Sequence, residues 1–411
     1  MYRILIDARR KVNSGIGRVT QWLVDNLGQN WPKEHEIWYL ATQDSAANYR
    51  FYNNNIIYTE SRPFSLDELY TIPILLCTNN INLYINPQFN SSPFHITPTI
   101  NIIHDFWALI KPDWLPTSED LQERFTLENT DIIYNMGNWL NDDLAKIIFT
   151  DFGYAEWRKA TSSNLPMAKY VWSHYAATVL LSSHICLISP DTLNTFKKIF
   201  KRQSNITMIL NGTSERWSQL ERKKGKHFLC LSKLEKRKNL YGLLNAYVGY
   251  ANNSAEPVPL IIAGDPGYHE YAKGVRHRIS ELKSSGYNID FKPSVSDEVI
   301  MELYSEAIAL IYPSHFEGFG LPPIEAMFAG VPVVASKTGL MCEDIGHFAT
   351  LFESHDEQAL TKIMQNLTDN CEPYERLATL AKVNIGKVID NEQITLEWCK
   401  VIENVLNRNK M

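Results

Sequence analysis

Two glutamates with seven residues between them, Glu317 and Glu325, bound the run EGFGLPPIE. Inside it lie Gly318 and Gly320, then Pro322 and Pro323. Carboxylates accept paired hydrogen bonds from neighbouring hydroxyls, which suits sugars. Glycines lack a Cβ and let a bulky ligand come close to the backbone. The prolines point to a helix start over Ile324–Ala329, with Glu325 in its first turn, since a missing N–H costs nothing there. Backbone N–H groups and the positive dipole end at such a start make an anion site. An acid at each end and an anion site between them describe the parts of a nucleotide-sugar site. The same residues also fit a plain helix cap and a glycine turn.

Three further stretches carry chemistry. Lys233, Lys236, Arg237 and Lys238 lie between an apolar run, Phe228–Leu231, and a helix bearing Leu240, Leu243, Leu244 and Tyr247. Cations there favour a diphosphate, or form a solvated turn. Gly15, Ile16 and Gly17 follow the strand RILIDA and open a helix near Gly17 with Val19, Trp22, Leu23 and Leu27 at helical spacing. Thr20 stands where a dinucleotide fingerprint needs its third glycine. His104 ends the apolar run from Thr97, where parallel α/β sheets bind ligands.

The elements that must position these residues alternate. Apolar runs at residues 37–90 read as strands and short helices, Leu180–Ser189 as a strand, and SPDTLNTFKKIFKRQ as a helix capped by Asp191. That helix puts Phe196, Ile199 and Phe200 on one face and Lys197, Lys198, Lys201 and Arg202 on the other. Phe196–Arg202 is therefore a candidate for peripheral membrane contact, or simply a half-solvated helix. Ser214–Lys226 is polar and basic and reads as an interdomain linker. Strands Leu260–Ala263 and Ile289–Phe291 follow, with Ser296 or Asp297 capping the next helix. Residues 360–389 and Ile394–Leu406 are helical. Trp and Tyr are dense between Phe106 and Ser173, including Trp107, Trp114, Trp139, Trp157 and Trp172, which suits sugar stacking or an aromatic core.

The chain has 411 residues, 45% hydrophobic and 21% charged, enough for two globular domains. A net charge of −6 argues against wholesale nucleic-acid binding. Six cysteines occur without a C-x-x-C pair, several in apolar runs (LLCTN, HICLI, FLCLS), and read as buried free thiols in a reducing compartment. The opening strand leaves no visible signal peptide, and no apolar stretch is long enough to span a bilayer. The expected location is cytoplasmic or at the inner membrane face. No Asp-x-Asp occurs, so no metal site is expected.

The run EGFGLPPIEAM with the following GVPVVAS resembles the E-x7-E motif of retaining GT-B glycosyltransferases, family 4 in particular. DAR followed by GIGR, HDF at 104–106, and SKLEKRKN at 232–239 extend the resemblance over nearly the whole chain. It implies an α/β GT-B fold, two Rossmann-like domains facing a central cleft. These are expected over 1–213 (acceptor-binding) and 214–388 (nucleotide-sugar-binding), with 389–411 a C-terminal helix crossing back. It implies catalytic roles for Glu317 and His104 at the transferred sugar and for Lys233 and Lys238 at the diphosphate. Donor contacts fall to Gly15, Ile16, Gly17, Val295, Gly318, Phe319, Gly320 and Leu321, with Glu325 on the ribose. Lys233 stands where the family has arginine and Ser232 where it has glycine. Leu210 replaces the proline before Asn211-Gly212. The implied reaction moves a hexose from a nucleotide diphosphate sugar to a glycan or lipid-linked acceptor, with retention and no cofactor. The N-terminal elements lean toward mannose-type donors such as GDP-mannose. A disaccharide synthase or phosphorylase, and a weakened nucleotide-sugar-binding subunit, are the alternatives.

Overall fold

The structure is a computed structural model describing residues 1–10, 14–30, 35–63, 65, 67–92, 94, 96–115, 139–162 and 166–408. The chain divides into two compact units, Met1–Gly212 with Asp390–Met411, and Thr213–Ile389. Among the described residues each unit holds one parallel sheet between helices.

The first sheet is built from β1 (Arg3–Asp7), β2 (Glu36–Ala41), β3 (Ile56–Tyr58), β4 (Leu83–Asn86), β5 (Thr99–Ile103), β6 (His184–Leu187) and β7 (Ile206–Met208). Its order is β3-β2-β1-β4-β5-β6-β7. The second contains β8 (His227–Leu231), β9 (Leu260–Gly264), β10 (Ile289–Pro293), β11 (Ala307–Tyr312), β12 (Val333–Ser336) and β13 (Thr350–Phe352), in order β10-β9-β8-β11-β12-β13. Central strands read as unbroken apolar runs because helices cover both faces. Ile4, Leu5 and Ile6 in β1, and Phe228, Leu229 and Cys230 in β8, are fully buried. Strand order reverses between β1 and β4 in one sheet and between β8 and β11 in the other. At such switch points neighbouring connections leave in opposite directions, opening a crevice beyond the strands' carboxyl ends.

The last helix, Asn391–Arg408, belongs to the first unit and buries Trp398, Val401, Ile402 and Val405. Its Asn391 Oδ1 accepts from Trp22 Nε1 at 2.8 Å. The Trp22 ring lies on Gly212, where a Cβ would come within 2.0 Å of it.

Several sequence expectations shift. Ser214–Lys226 is not a free linker. Trp217 is buried edge-on against Tyr304, and Arg222 reaches the carbonyls of Ala307 and Gly330 and the Glu375 carboxylate. Leu180 and Leu181 end the helix Pro166–Leu181, because the apolar run before β6 belongs to that helix. Ser189, not Asp191, caps the helix Pro190–Ile199, its hydroxyl accepting from Thr192 N. Phe196, Ile199 and Phe200 are buried in the aromatic core of the first unit. That face is therefore unavailable to a bilayer, while Asn194, Lys197 and Lys198 face solvent. Cys186 and Cys230 are buried, but Cys77 lies on the outer face of the helix Glu68–Thr78 and is exposed. No helix among the described residues is long and apolar enough to cross a membrane. Of the aromatic-rich stretch, residues 116–138 and 163–165 lie outside the described part.

Candidate functional site

In the second unit the chemistry gathers at the switch point. β8 ends at Leu231 and gives way to Ser232 and Lys233. Gly264, at φ +144°, lies so near that a Cβ would come within 2.3 Å of the Ser232 carbonyl. Leu234 N donates to Asp265 O at 3.0 Å, fastening the two loops. A short 3-10 turn, Lys236–Lys238, then delivers Lys238 inward. Asn239 takes the left-handed conformation, φ 53°, and leads into the helix Leu240–Asn252.

β11 ends at Tyr312, and the chain turns through Ser314 to Glu317. Thr338 Oγ1 accepts from Glu317 N at 3.0 Å. Gly339, at φ +56°, sits so close that a Cβ would lie 2.6 Å from the Glu317 carbonyl. The single loop after β12 thus fixes the Glu317 backbone. Its side chain contacts Lys238 Nζ and lies 3.0 Å from Arg237 Nη1. Lys238 also donates to the Tyr312 hydroxyl at 2.8 Å. Arg237 continues to Glu235 at 3.0 Å, and Glu235 to Lys233 at 2.9 Å. Lys233, Glu235, Arg237, Glu317 and Lys238 form one chain of alternating charge.

Burial alone would raise the pKa of Glu317, but the charges of Lys238 and Arg237 outweigh it and hold the carboxyl below its usual range. Glu235 is lowered in the same way by Lys233 and Arg237. Burial, with the neighbouring Arg237 charge, pulls Lys238 down. At neutral pH both carboxylates are ionised.

The helix Leu321–Ala329 begins earlier than expected. Pro322 and Pro323 are its second and third residues, so two of its first N–H groups are absent. The anion site read from sequence is correspondingly poorer in backbone donors. Glu325 is the fifth residue, beyond the first turn, which removes the plain capping role. It is 2% exposed, with the Tyr304 hydroxyl 3.5 Å from Oε2. Gly320, at φ +87°, makes the bend between Phe319 and this helix.

Of the remaining second-unit residues, Val295 lies in the turn after β10. There Ser294 N donates to Gly264 O at 2.9 Å and Ser296 caps the next helix. The structure therefore joins Lys238 to Glu317 directly and Lys233 to them through Glu235 and Arg237. Val295 is outside that chain.

In the first unit, Gly15, Ile16 and Gly17 are not a loop but the first turn of the helix Gly15–Asn30. Ser14 Oγ accepts from Gly17 N at 3.0 Å. His104 follows β5, and its Nε2 lies 2.9 Å from Pro87 O. A carbonyl only accepts, so Nε2 carries the proton and Nδ1 is left as an acceptor. Burial pushes the His104 pKa down to about 4, with the nearby Arg10 charge adding to it. The ring is neutral at pH 7. Asp7 and Arg9 of the DAR run are buried partners, 2.6 Å apart, and Arg9 also contacts Glu68 at 2.5 Å. Their role is internal.

Sequence reasoning counted Arg237 among the cations of its loop but passed over Glu235 and Tyr312. The signal for Glu235 was a single acid among the cations at residues 233–238.

Residues 212–383 match the family described as "Glycosyl transferases group 1". That stretch takes in most of the second unit. O-antigen chain mannosyltransferase B of Escherichia coli is 32% identical to this chain over 170 residues, 41% of this chain and 43% of that protein. O-antigen chain mannosyltransferase RfbU of Salmonella typhimurium is 26% identical over 45% of this chain and 50% of its own length. Human alpha-1,3/1,6-mannosyltransferase ALG2 is 31% identical over 43% and 47%. The chain thus spans half or less of these relatives. Among solved structures, Anabaena Alr3699/HepE in complex with UDP and glucose has a TM-score of 0.66 at 15% identity, covering 98% of this chain and all of that one. WaaG, a glycosyltransferase involved in lipopolysaccharide biosynthesis, has a TM-score of 0.63 at 11% identity, covering 97% and 99%. These likenesses show the fold: two Rossmann-like units of the GT-B class.

Proposed function

We propose that the protein is a retaining glycosyltransferase. It moves a hexose, mannose-type favoured, from a nucleotide diphosphate sugar to a glycan or lipid-linked acceptor in cell-surface polysaccharide synthesis. The observation that carries this reading is Glu317, buried, ionised and held by Lys238 and Arg237 at the carboxyl end of β11. Mannosyltransferase names among the relatives support the sugar class.

In this reading Glu317 accepts hydroxyl hydrogen bonds from the transferred sugar and Glu325 those of the ribose. Lys233 and Lys238 stabilise the departing diphosphate as charge builds on it, with loop amides of Gly318–Leu321 beside them. The leaving phosphate oxygen takes the acceptor's proton on the face it departs from, which yields retention. His104 offers Nδ1 to a sugar hydroxyl. Peripheral membrane contact, if the acceptor is lipid-linked, would rest on Lys197 and Lys198 rather than on the buried aromatic face.

Thermal-shift screening of GDP-, UDP-, ADP- and dTDP-sugars identifies the donor, and the anomer of the product reports retention. Stabilisation by one donor with sugar transfer is expected. Binding without transfer points instead to a weakened nucleotide-sugar-binding subunit. Turnover with free sugar and phosphate points to a phosphorylase.

A further inference from the structure

The cationic loop carries one acid whose placement differs from that of a surface counter-charge. The Glu235 side chain is 22% exposed and divides its two oxygens: one lies 2.9 Å from Lys233 Nζ, the other 3.0 Å from Arg237 Nε. Lys236, between them in sequence, is exposed and outside the chain of charges. Asp265 also approaches Lys233, but at 3.9 Å and with a side chain 59% exposed. Glu235 is therefore the group that sets the distance between Lys233 and Arg237. Without it two like charges at the end of β8 would repel one another. Arg237 is shared in turn: its Nε lies on Glu235 and its Nη1 3.0 Å from Glu317, so the planar guanidinium ties both carboxylates together where an ammonium is only a point charge.

We propose that Glu235 is a positioning residue for the diphosphate of the donor: its carboxylate spaces the charges of Lys233 and Arg237 as an anion-binding pair. The inference rests on the nucleotide-sugar reading above. The rival account makes Glu235 a competitor that occupies the cations, and it gives the opposite sign on removal.

Calorimetry on the full chain decides, using GDP, UDP, ADP and dTDP against the matching nucleosides. Glu235→Gln is expected to weaken the bound diphosphate by roughly 10-fold while leaving the nucleoside unchanged. Glu235→Asp should fall between, and Arg237→Lys should lose the same discrimination. In turnover, the donor KM should rise more than kcat falls. Equal or tighter diphosphate binding by Glu235→Gln overturns the proposal, as does an equal loss for diphosphate and nucleoside, which would mark a merely structural role. A wild type with no preference for diphosphate over nucleoside overturns the nucleotide-sugar reading itself, and this inference with it.

Discussion

Glu317 is held by two cations in a buried place, so removing its charge does more than remove the proposed sugar contact. Glu317→Gln leaves Lys238 and Arg237 facing one another without their shared carboxylate. Breaking such a buried arrangement costs about 3–5 kcal/mol in stability. Turnover should fall by roughly 100-fold or more. Paired melting curves and rates check this, and wild-type turnover in the variant would remove Glu317 from the reaction. Protonation makes a separate test. Glu317 is held below the ordinary glutamate range and His104 at about 4. Both keep their pH 7 form down to about pH 5, since each protonates only below its own lowered value. The rate should therefore stay level from pH 7 to 5 as far as these two are concerned. An acid limb near pH 6.5 that disappears in His104→Asn would contradict the assignment. The E-x7-E glutamates were legible in sequence because their spacing is local. The contact of Arg237 with Glu317 was not, because it depends on a loop brought in by β11; the contacts of Glu235 are local, but charge alone does not say which of the four neighbouring cations it takes.

At the scale of elements, glycines mark where loops meet. Gly339 backs the Glu317 carbonyl at a positive φ. Gly339→Ala should destabilise the second unit by about 1–3 kcal/mol through clash and backbone strain together. Donor turnover should fall as well, since Glu317 must shift. Denaturant melts and rates measure both, and a silent substitution would show that the loop yields freely. Strands were readable because buried parallel strands are continuous apolar runs, as in β8 and β11. Their borders were not always readable. Leu180 and Leu181 are as apolar as the strand that follows, and nothing local says that the helix still holds them. Ser214–Lys226 looked like a linker because charge dominates it, yet Trp217 and Arg222 anchor it to the second unit.

For the molecule as a whole, acid should act unequally on the two units. Burial holds His104, His174 and His184 of the first unit each near 4. An unfolded histidine titrates near 6.5. Between about pH 4 and 6.5 the unfolded chain binds protons that the folded one refuses, so stability rises with pH there and is lost on acidification. In the second unit His227 is pushed the same way. Glu235 and Glu317 contribute stability above the ordinary glutamate range, and it is lost only as pH falls through their lower folded values. Hydrogen exchange from pH 7 to 5 should therefore show the first unit's amides opening earlier. Opening of the second unit first would refute the ranking. Two domains were legible from chain length and from two separate sets of strand-end motifs. That the last helix returns to the first unit came from resemblance, since Trp398 and Val401 fit either core by composition.

The two prolines in succession at the start of the helix Leu321–Ala329 have a consequence for how firmly this protein can hold a guest. Peptide amides grip in any buffer, whereas ammonium and guanidinium groups trade partners with dissolved ions. A protein short of the former and rich in the latter should release nucleoside diphosphates steeply as sodium chloride rises from about 0.05 to 0.5 M. Ionic strength then becomes a dial on its affinity.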